Sequence, residues 1–383
     1  MTNKLHIPTL ADIRSLSGLG GLSGAAGPGG YLTRSDTTVG VSGQTVDGQS
    51  FADIWRDLQL RTAIFNRHYA RIVSLFSFRT TQAQVRVAVP VTGAFGEASE
   101  FGRPNKLRFA QIFRGLPRKH YDLGYGFTQE YLDSVQDPGE VNAIQAAAQQ
   151  AWNALSYQLA LEALMFSTNR TSEEGVSVKA LYNNDGEVPP AFMRTTHAGT
   201  HTHYLTTNNA AVTAASLLAA EAHLMHHGYG NAVAGTGGTI IHLFNNAEMA
   251  TVRALVGFIP APNGTVPVIV DGNIVGAVPT GVPAGLTVQG YFGSSVIVQE
   301  DMVPAGYFIT FSTGGAFATQ NVLGWREHEN PSARGMRLIE GGRREYPLID
   351  SVYDGYMGMG VRHRGAAAVT QVVVGTTYNN PTI

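Results

Sequence analysis

The chain has 383 residues, 44 % of them apolar and only 14 % charged, against about 25 % charged in an average domain. That supplies a large core for two domains or one elaborated domain, and it excludes intrinsic disorder, which needs high net charge and low hydrophobicity. Lys+Arg 26 against Asp+Glu 28 leaves −2, so no overall basic face argues for nucleic-acid binding, and zero cysteines exclude disulfides, cysteine-ligated zinc, iron–sulfur clusters and thiol chemistry.

Two biases remain. Glycine contributes 45 residues, and of the 26 basic residues only Lys4, Lys106, Lys119 and Lys179 are lysines. Arginine makes planar, multi-donor contacts at protein interfaces better than lysine does. The composition fits a subunit that buries its exterior against copies of itself; a genome rich in G and C gives the same bias, so composition alone leaves both open. The N-terminus, Met1 to Pro8, has no apolar core of signal-peptide length. Between Ala254 and Trp325 only Asp271, Glu300 and Asp301 are charged, but six prolines punctuate the stretch, which reads as short strands and turns and not as a membrane span.

Residues 1–50 read as an arm, with seven glycines between Gly18 and Gly30. Such a segment buries little and loses much entropy on ordering, so neighbouring subunits are the simplest thing to hold it. Residues 51–70 read as a helix with a Ser50/Asp53 cap box and a stripe of Ile54, Leu58 and Ile64 with Trp55 and Phe65. At 83–114 the period changes to two: Val85, Val87, Val89 and Val91 on one arm, Leu107, Phe109 and Phe113 on the other, which predicts a long hairpin. Each arm reaches roughly 30 Å at about 3.4 Å per residue. Its polar tip, about 92–106, holds Glu97, Glu100, Arg103 and Lys106, with Arg108 just beyond. A two-stranded ribbon is marginal alone and must lie on something.

The clearest helix is 138–167, capped by Asp137 with Pro138 in the first turn. Val141, Ile144, Ala148, Trp152, Leu155 and Leu159 recur at spacings of three and four, and Ala147, Ala151, Leu161 and Leu164 make a second apolar face. About thirty residues give a rod of roughly 45 Å. Residues 171–205 are irregular. A helix near 210–227 follows, with Leu217, Leu218, Leu224 and Met225 inward and Gly228 ending it. Strand Thr239–Phe244 leads into an Asn245–Glu248 cap box and a short helix to about Val256. Short strands fill 266–325. The last segment begins charged, with Arg334, Arg337, Arg343 and Arg344, and ends in strands at Ser351–Val361 and Ala366–Val374.

Familiar catalytic signatures are missing. No lysine follows a glycine, which removes the phosphate loop; Gly18-Leu19-Gly20 has Ser23 where a dinucleotide fingerprint needs its third glycine; no Gly-x-Ser-x-Gly or His-Glu-x-x-His occurs. Histidines are the enzyme lead. His197, His201 and His203 lie within seven residues, and His223, His226 and His227 lie at one helix end, where His223 and His227 could face one metal. Against that, Glu221 is the one carboxylate nearby, and histidines at a helix C-terminus are favoured by its dipole, so they read first as structural. The arginines at 334–344 interleave with Glu340 and Glu345, which favours ion pairs within or between subunits over nucleic acid.

The order of these parts resembles a tailed-bacteriophage major capsid protein of the HK97-like α+β fold. The resemblance lies in the arm, the long two-stranded extension, the run Lys119 to Ser134, the long helix directly after it, and the tail from Ile349 through Val369. It implies an N-terminal arm (1–50), a helix leading to the extension (51–78), an E-loop hairpin (79–118), a peripheral domain (119–205) with spine helix 138–167, an axial domain (206–325), and a return through the peripheral domain with a last strand (326–383). It further implies hexamers and pentamers closing into an icosahedral shell around double-stranded DNA, in a virion assembled in the host cytoplasm. Implied partners are a separate scaffold protein or none, portal and decoration proteins, and weak, non-specific DNA contact; no membrane, cofactor or metal is implied. Glu97, Glu100, Arg103, Lys106, Arg108, Arg334, Arg337, Arg343 and Arg344 are the expected subunit contacts. The alternatives are an encapsulin-like compartment of the same fold and, from another class, a histidine-ligated metal hydrolase.

Overall fold

The computed structural model describes residues 51–68, 71–90, 100, 102, 109–128, 139–193, 195–230, 237–261, 268–270, 273–275, 288–343 and 348–383. The glycine-rich arm, Ser50, most of the ribbon tip and the Asp137-Pro138 start of the long helix lie outside them.

Helix α1 (Phe51–His68) is followed by the short α2 (Arg71–Phe76). The buried stripe of α1 is Leu58 and Thr62, while Ile64, expected inward, is half exposed. The reason lies on the partner: Gln145 of helix α3 (Gly139–Met165) donates to the Leu58 carbonyl (2.6 Å) and to Thr62 Oγ1 (3.0 Å), so a polar clasp sets which face docks. The N-terminal half of α3 buries one stripe, Gln145, Ala148 and Trp152, and leaves Ala147 and Ala151 exposed, contrary to the two-faced expectation. Only its C-terminal half is covered on both sides, with Ser156, Tyr157, Ala160, Leu161, Leu164 and Met165 buried.

Two sheets flank α3. The first runs β1 (Ser77–Thr80), β15 (Leu323–Arg326), β17 (Leu348–Val361) and β16 (Arg337–Arg343), with β4 (Lys119–Thr128) also on β17. Strand β17 is its organiser: it pairs antiparallel with β4 from Leu348 to Met357, with β16 at its start and with β15 at its end. Strand β16 falls in the charged stretch where sequence reading placed no strand.

The second sheet has seven strands, in the order β7 (Tyr204–Thr206), β18 (Ala367–Gln371), β14 (Tyr307–Thr313), β8 (Thr239–Phe244), β13 (Ser295–Gln299), β12 (Val288–Phe292) and β9 (Phe258–Pro260). Alternation divides its faces. Ile241, Leu243, Val296, Val298, Ile309 and Phe311 join the core shared with α3. Phe244, Ile297 and Phe308 turn the other way, onto α4 (Ala214–Met225) and α5 (Asn246–Arg253).

Helix α4 starts at Thr213, whose hydroxyl accepts from Ser216 N while Ser216 Oγ accepts from Thr213 N. Its inward face is Leu217, Ala220, Glu221 and Leu224. Leu218 and Met225, expected inward, are exposed, because each lies one residue, about 100° of helix, past that stripe. At α5, Asn245 Oδ1 caps Ala247 N, but the expected reciprocal contact is absent: Glu248 Oε1 instead accepts from Gly306 N.

Strands β2 (Gln84–Pro90) and β3 (Phe109–Gly115) pair antiparallel through seven residues and, among the described residues, with no other strand. Smaller pairs are β5 (Arg170–Thr171) with β6 (Ser177–Val178) and β10 (Val268–Val270) with β11 (Asn273–Val275). No described helix is long and apolar enough to cross a membrane.

Candidate functional site

Among the described residues, the ribbon is anchored at its root. There Val85, Leu116 and Phe78 form a small buried cluster, each apolar side chain contributing about 1.5–3 kcal/mol. The root sits on glycines because nothing larger fits: a Cβ on Gly358 would lie 2.1 Å from the Pro117 carbonyl oxygen, and one on Gly324 would lie 2.5 Å from Leu116 Cδ1.

Two buried arginines lock this root to the irregular region after α3. Arg326 donates to the Leu116 carbonyl (3.1 Å) and forks onto Glu174 (2.6 and 2.8 Å). Arg114, on β3, forks onto Glu187. Glu187 also accepts from Arg364 Nη1 (2.9 Å), so one carboxylate joins the ribbon root to the turn before β18. The Arg364 side chain is wholly buried and all five of its N–H donors have acceptors: Ala180 O, Leu181 O, Asn183 Oδ1, Asp185 Oδ1 and Glu187 Oε2, at 2.8–3.1 Å. Its guanidinium lies 4.6 Å over the Tyr182 ring. Burial pushes the carboxyls of Asp185 and Glu187 up, but the hydrogen bonds from Lys179, Arg364 and Asn169 to the one, and from Arg114 to the other, overcome it and hold both below their ordinary values.

Of the charges picked out in the sequence, Glu97, Arg103, Lys106, Arg108 and Arg344 lie outside the described residues, as does the side chain of Arg343; Glu100 is exposed. Arg334 is exposed and donates to the carbonyls of His328 and Glu329 in its own loop. Arg337 forks onto Asp354 across the β16–β17 pair, with His120 on the same carboxylate. Nothing local in the chain announces Arg114, Arg326 and Arg364, because their partners lie 73 to 210 residues away.

The two histidine groups, 24 to 26 residues apart along the chain, come together. Four Nε2 atoms converge: His201 lies 3.0 Å from His227, 3.1 Å from His203 and 3.2 Å from His226, and His227 lies 3.0 Å from His203. His197 and His223 flank them, in two overlapping sets: His197, His201, His226 and His227, and His201, His203, His223 and His226. Burial lowers all six, and the charge of neighbouring imidazoles adds to it in all but His197: His201 and His226 fall to about 4, His227 to about 2, and the fully enclosed His203 well below its ordinary value. Glu221, the carboxylate that might have served a metal hydrolase, faces elsewhere. It accepts from Ser295 Oγ (2.6 Å) and His242 Nε2 (3.0 Å), while Thr310 Oγ1 meets His242 Nδ1 (2.8 Å). With His242, Ser295 and Thr310 at zero exposure, this network is a satisfied core device that no substrate reaches.

No family model matches the chain, and neither does any curated protein. Among solved structures it is similar to a chain of Mycobacterium phage Patience, at 30 % identity over 92 % of this chain and 96 % of that one, with a TM-score of 0.64. It also matches the capsid of a native GTA particle (14 % identity, 91 % and 98 % covered, TM-score 0.45) and the SrpI encapsulin complex of Synechococcus elongatus (14 %, 82 % and 90 %, 0.45). The chain belongs to the tailed-phage major capsid proteins of the HK97-like α+β fold, and is a structural, non-enzymatic protein.

Proposed function

We propose that this capsid-forming chain assembles as hexamers and pentamers into an icosahedral shell that encloses double-stranded DNA, in the host cytoplasm. The observation that carries this is the β2–β3 ribbon, whose two strands pair with each other and, among the described residues, with no third strand. Such a ribbon gains its missing burial by lying across an adjacent subunit, and many such contacts per subunit add up by multivalency.

In this reading β2 and β3 are the walls of the E-loop, α3 is the spine of the peripheral domain with the β17 sheet beside it, and the seven-stranded sheet with α4 and α5 is the axial domain. Residues 1–50 form the arm. Glu97, Glu100, Arg103, Lys106 and Arg108 reach a neighbour from the ribbon, and Arg334, Arg343 and Arg344 from the β16 side, while Arg337 is occupied by Asp354. A separate scaffold or none, together with a portal and decoration proteins, completes the particle, and DNA contact is weak and non-specific. Electron microscopy and size exclusion of the purified chain test this: rings and shells are expected, and a persistent monomer under all conditions overturns it.

A further inference from the structure

The six-histidine cluster has more nitrogens facing one another than hydrogen bonds can satisfy. A neutral imidazole presents at each ring nitrogen either one proton or one lone pair, in the ring plane. His201 Nε2 meets three other Nε2 atoms at 3.0–3.2 Å, so one of these contacts can be a hydrogen bond and the others oppose like groups. One tautomer is set by the backbone. His203 Nδ1 lies 2.6 Å from the Ala367 carbonyl, which only accepts, so Nδ1 carries the proton and Nε2 turns a lone pair into the cluster. Three further buried ring nitrogens, His197 Nε2, His223 Nδ1 and His227 Nδ1, have no hydrogen-bond partner.

A cation turns those oppositions into attraction. Metal–imidazole bonds of about 2.0–2.1 Å put neighbouring nitrogens roughly 3.0 Å apart in an octahedron and about 3.3–3.4 Å apart in a tetrahedron. The observed 3.0–3.2 Å lie between the two values. The donor set names the metal class: imidazole suits zinc, nickel and copper, whereas calcium and magnesium require oxygen ligands.

We propose that this cluster binds one divalent late first-row transition ion as a structural clasp, through four imidazoles drawn from the sets His197, His201, His226, His227 and His201, His203, His223, His226, with His201 and His226 common to both. The ligands come from two segments, the irregular loop before β7 and the last turn of α4 with the residues after it, and the Ala367 carbonyl ties β18 in as the outer partner of His203. Catalytic zinc sites have three protein ligands and keep a position open for water, whereas structural ones are closed by four; a set of four imidazoles makes this a fastener and not a reaction centre. The surroundings hold the rings in place. Tyr182 lies 5.5–5.6 Å, centroid to centroid, from His203 and His227, and Gly365 leaves His227 its room, since a Cβ there would come within 2.9 Å of His227 Cδ2.

The test uses the untagged full chain, stripped with a chelator and dialysed. Zinc and nickel titrations, followed by calorimetry and by elemental analysis of washed protein, are expected to give one ion per chain with micromolar or tighter affinity. Cobalt as a probe is expected to show the intense visible bands of four-coordination. The double variant His201→Ala/His226→Ala should lose at least about 100-fold in affinity, and added zinc should raise the thermal midpoint of the native chain but not of the variant. Should that variant fail to fold, Gly365→Ala, which displaces His227 without removing a ligand, should weaken binding measurably. Absence of stoichiometric binding to the native chain, or equal binding by the variants, overturns the proposal; assembly into shells is read separately and bears on neither result.

Discussion

Replacing Arg364 by Met should be among the most damaging single changes outside the apolar core. Methionine fills the space of the aliphatic stem but removes five donors at once. The Ala180 and Leu181 carbonyls and Asn183 Oδ1 lose that donor, and Asp185 and Glu187 each lose a cationic partner. Removing one partner from a buried ion pair costs about 3–5 kcal/mol. The lower end applies here, because Lys179 still holds Asp185 and Arg114 still holds Glu187. A loss of about 3 kcal/mol lowers the folded-to-unfolded ratio on the order of a hundredfold. Urea unfolding of dissociated subunits, read by tryptophan fluorescence with Trp325 fully buried as a reporter, should show the midpoint fall by up to about 1 M, since the slope is at or above about 3 kcal/mol per M for a chain of this size. Arg364→Lys, which keeps the charge but not the five-donor fork, should fall between. A loss under about 1 kcal/mol in the Met variant, or a Lys variant as stable as the native chain, would refute the claim that this guanidinium organises the region.

Two other outcomes follow from the same anchorage. Asp185 and Glu187 are held below their ordinary values of 3.8 and 4.5, so their contribution is fully present above those values and is lost as pH falls below them toward the depressed folded-state values; Glu187→Gln should lower stability at neutral pH and flatten the acid limb of the stability curve, measured as the urea midpoint against pH. Gly358→Ala drives a Cβ onto the Pro117 carbonyl oxygen at 2.1 Å, forcing the ribbon root off β17 at a cost of about 1–3 kcal/mol or more; a drop in thermal midpoint together with faster proteolysis at the root checks it, and an unchanged variant contradicts the seating.

Much of the architecture was legible in the chain because it is local. The period-two run of valines announced β2, the Thr239–Phe244 strand is found with the bounds read from its residues, and the spacing of three and four announced the long helix at Gly139–Met165. Strand β16 was hidden because its arginines and glutamate look like a solvated run, and Leu218 and Met225 were misplaced because helical period does not say which of two adjacent apolar residues a neighbour will cover.

From its residues alone this protein declared its periodicities, its lack of a thiol or phosphate-loop chemistry, and an order of parts that resembles a shell-building family. Those properties depend on neighbours along the chain, where turn and pleat set the geometry. Tertiary structure alone decided that Arg114, Arg326 and Arg364 would clamp the ribbon root, and that histidines at 197–203 and 223–227 would meet at one point. A charged or metal-binding side chain acts through space over a few ångströms, and which partner comes within that reach is settled only when the sheets have closed around it.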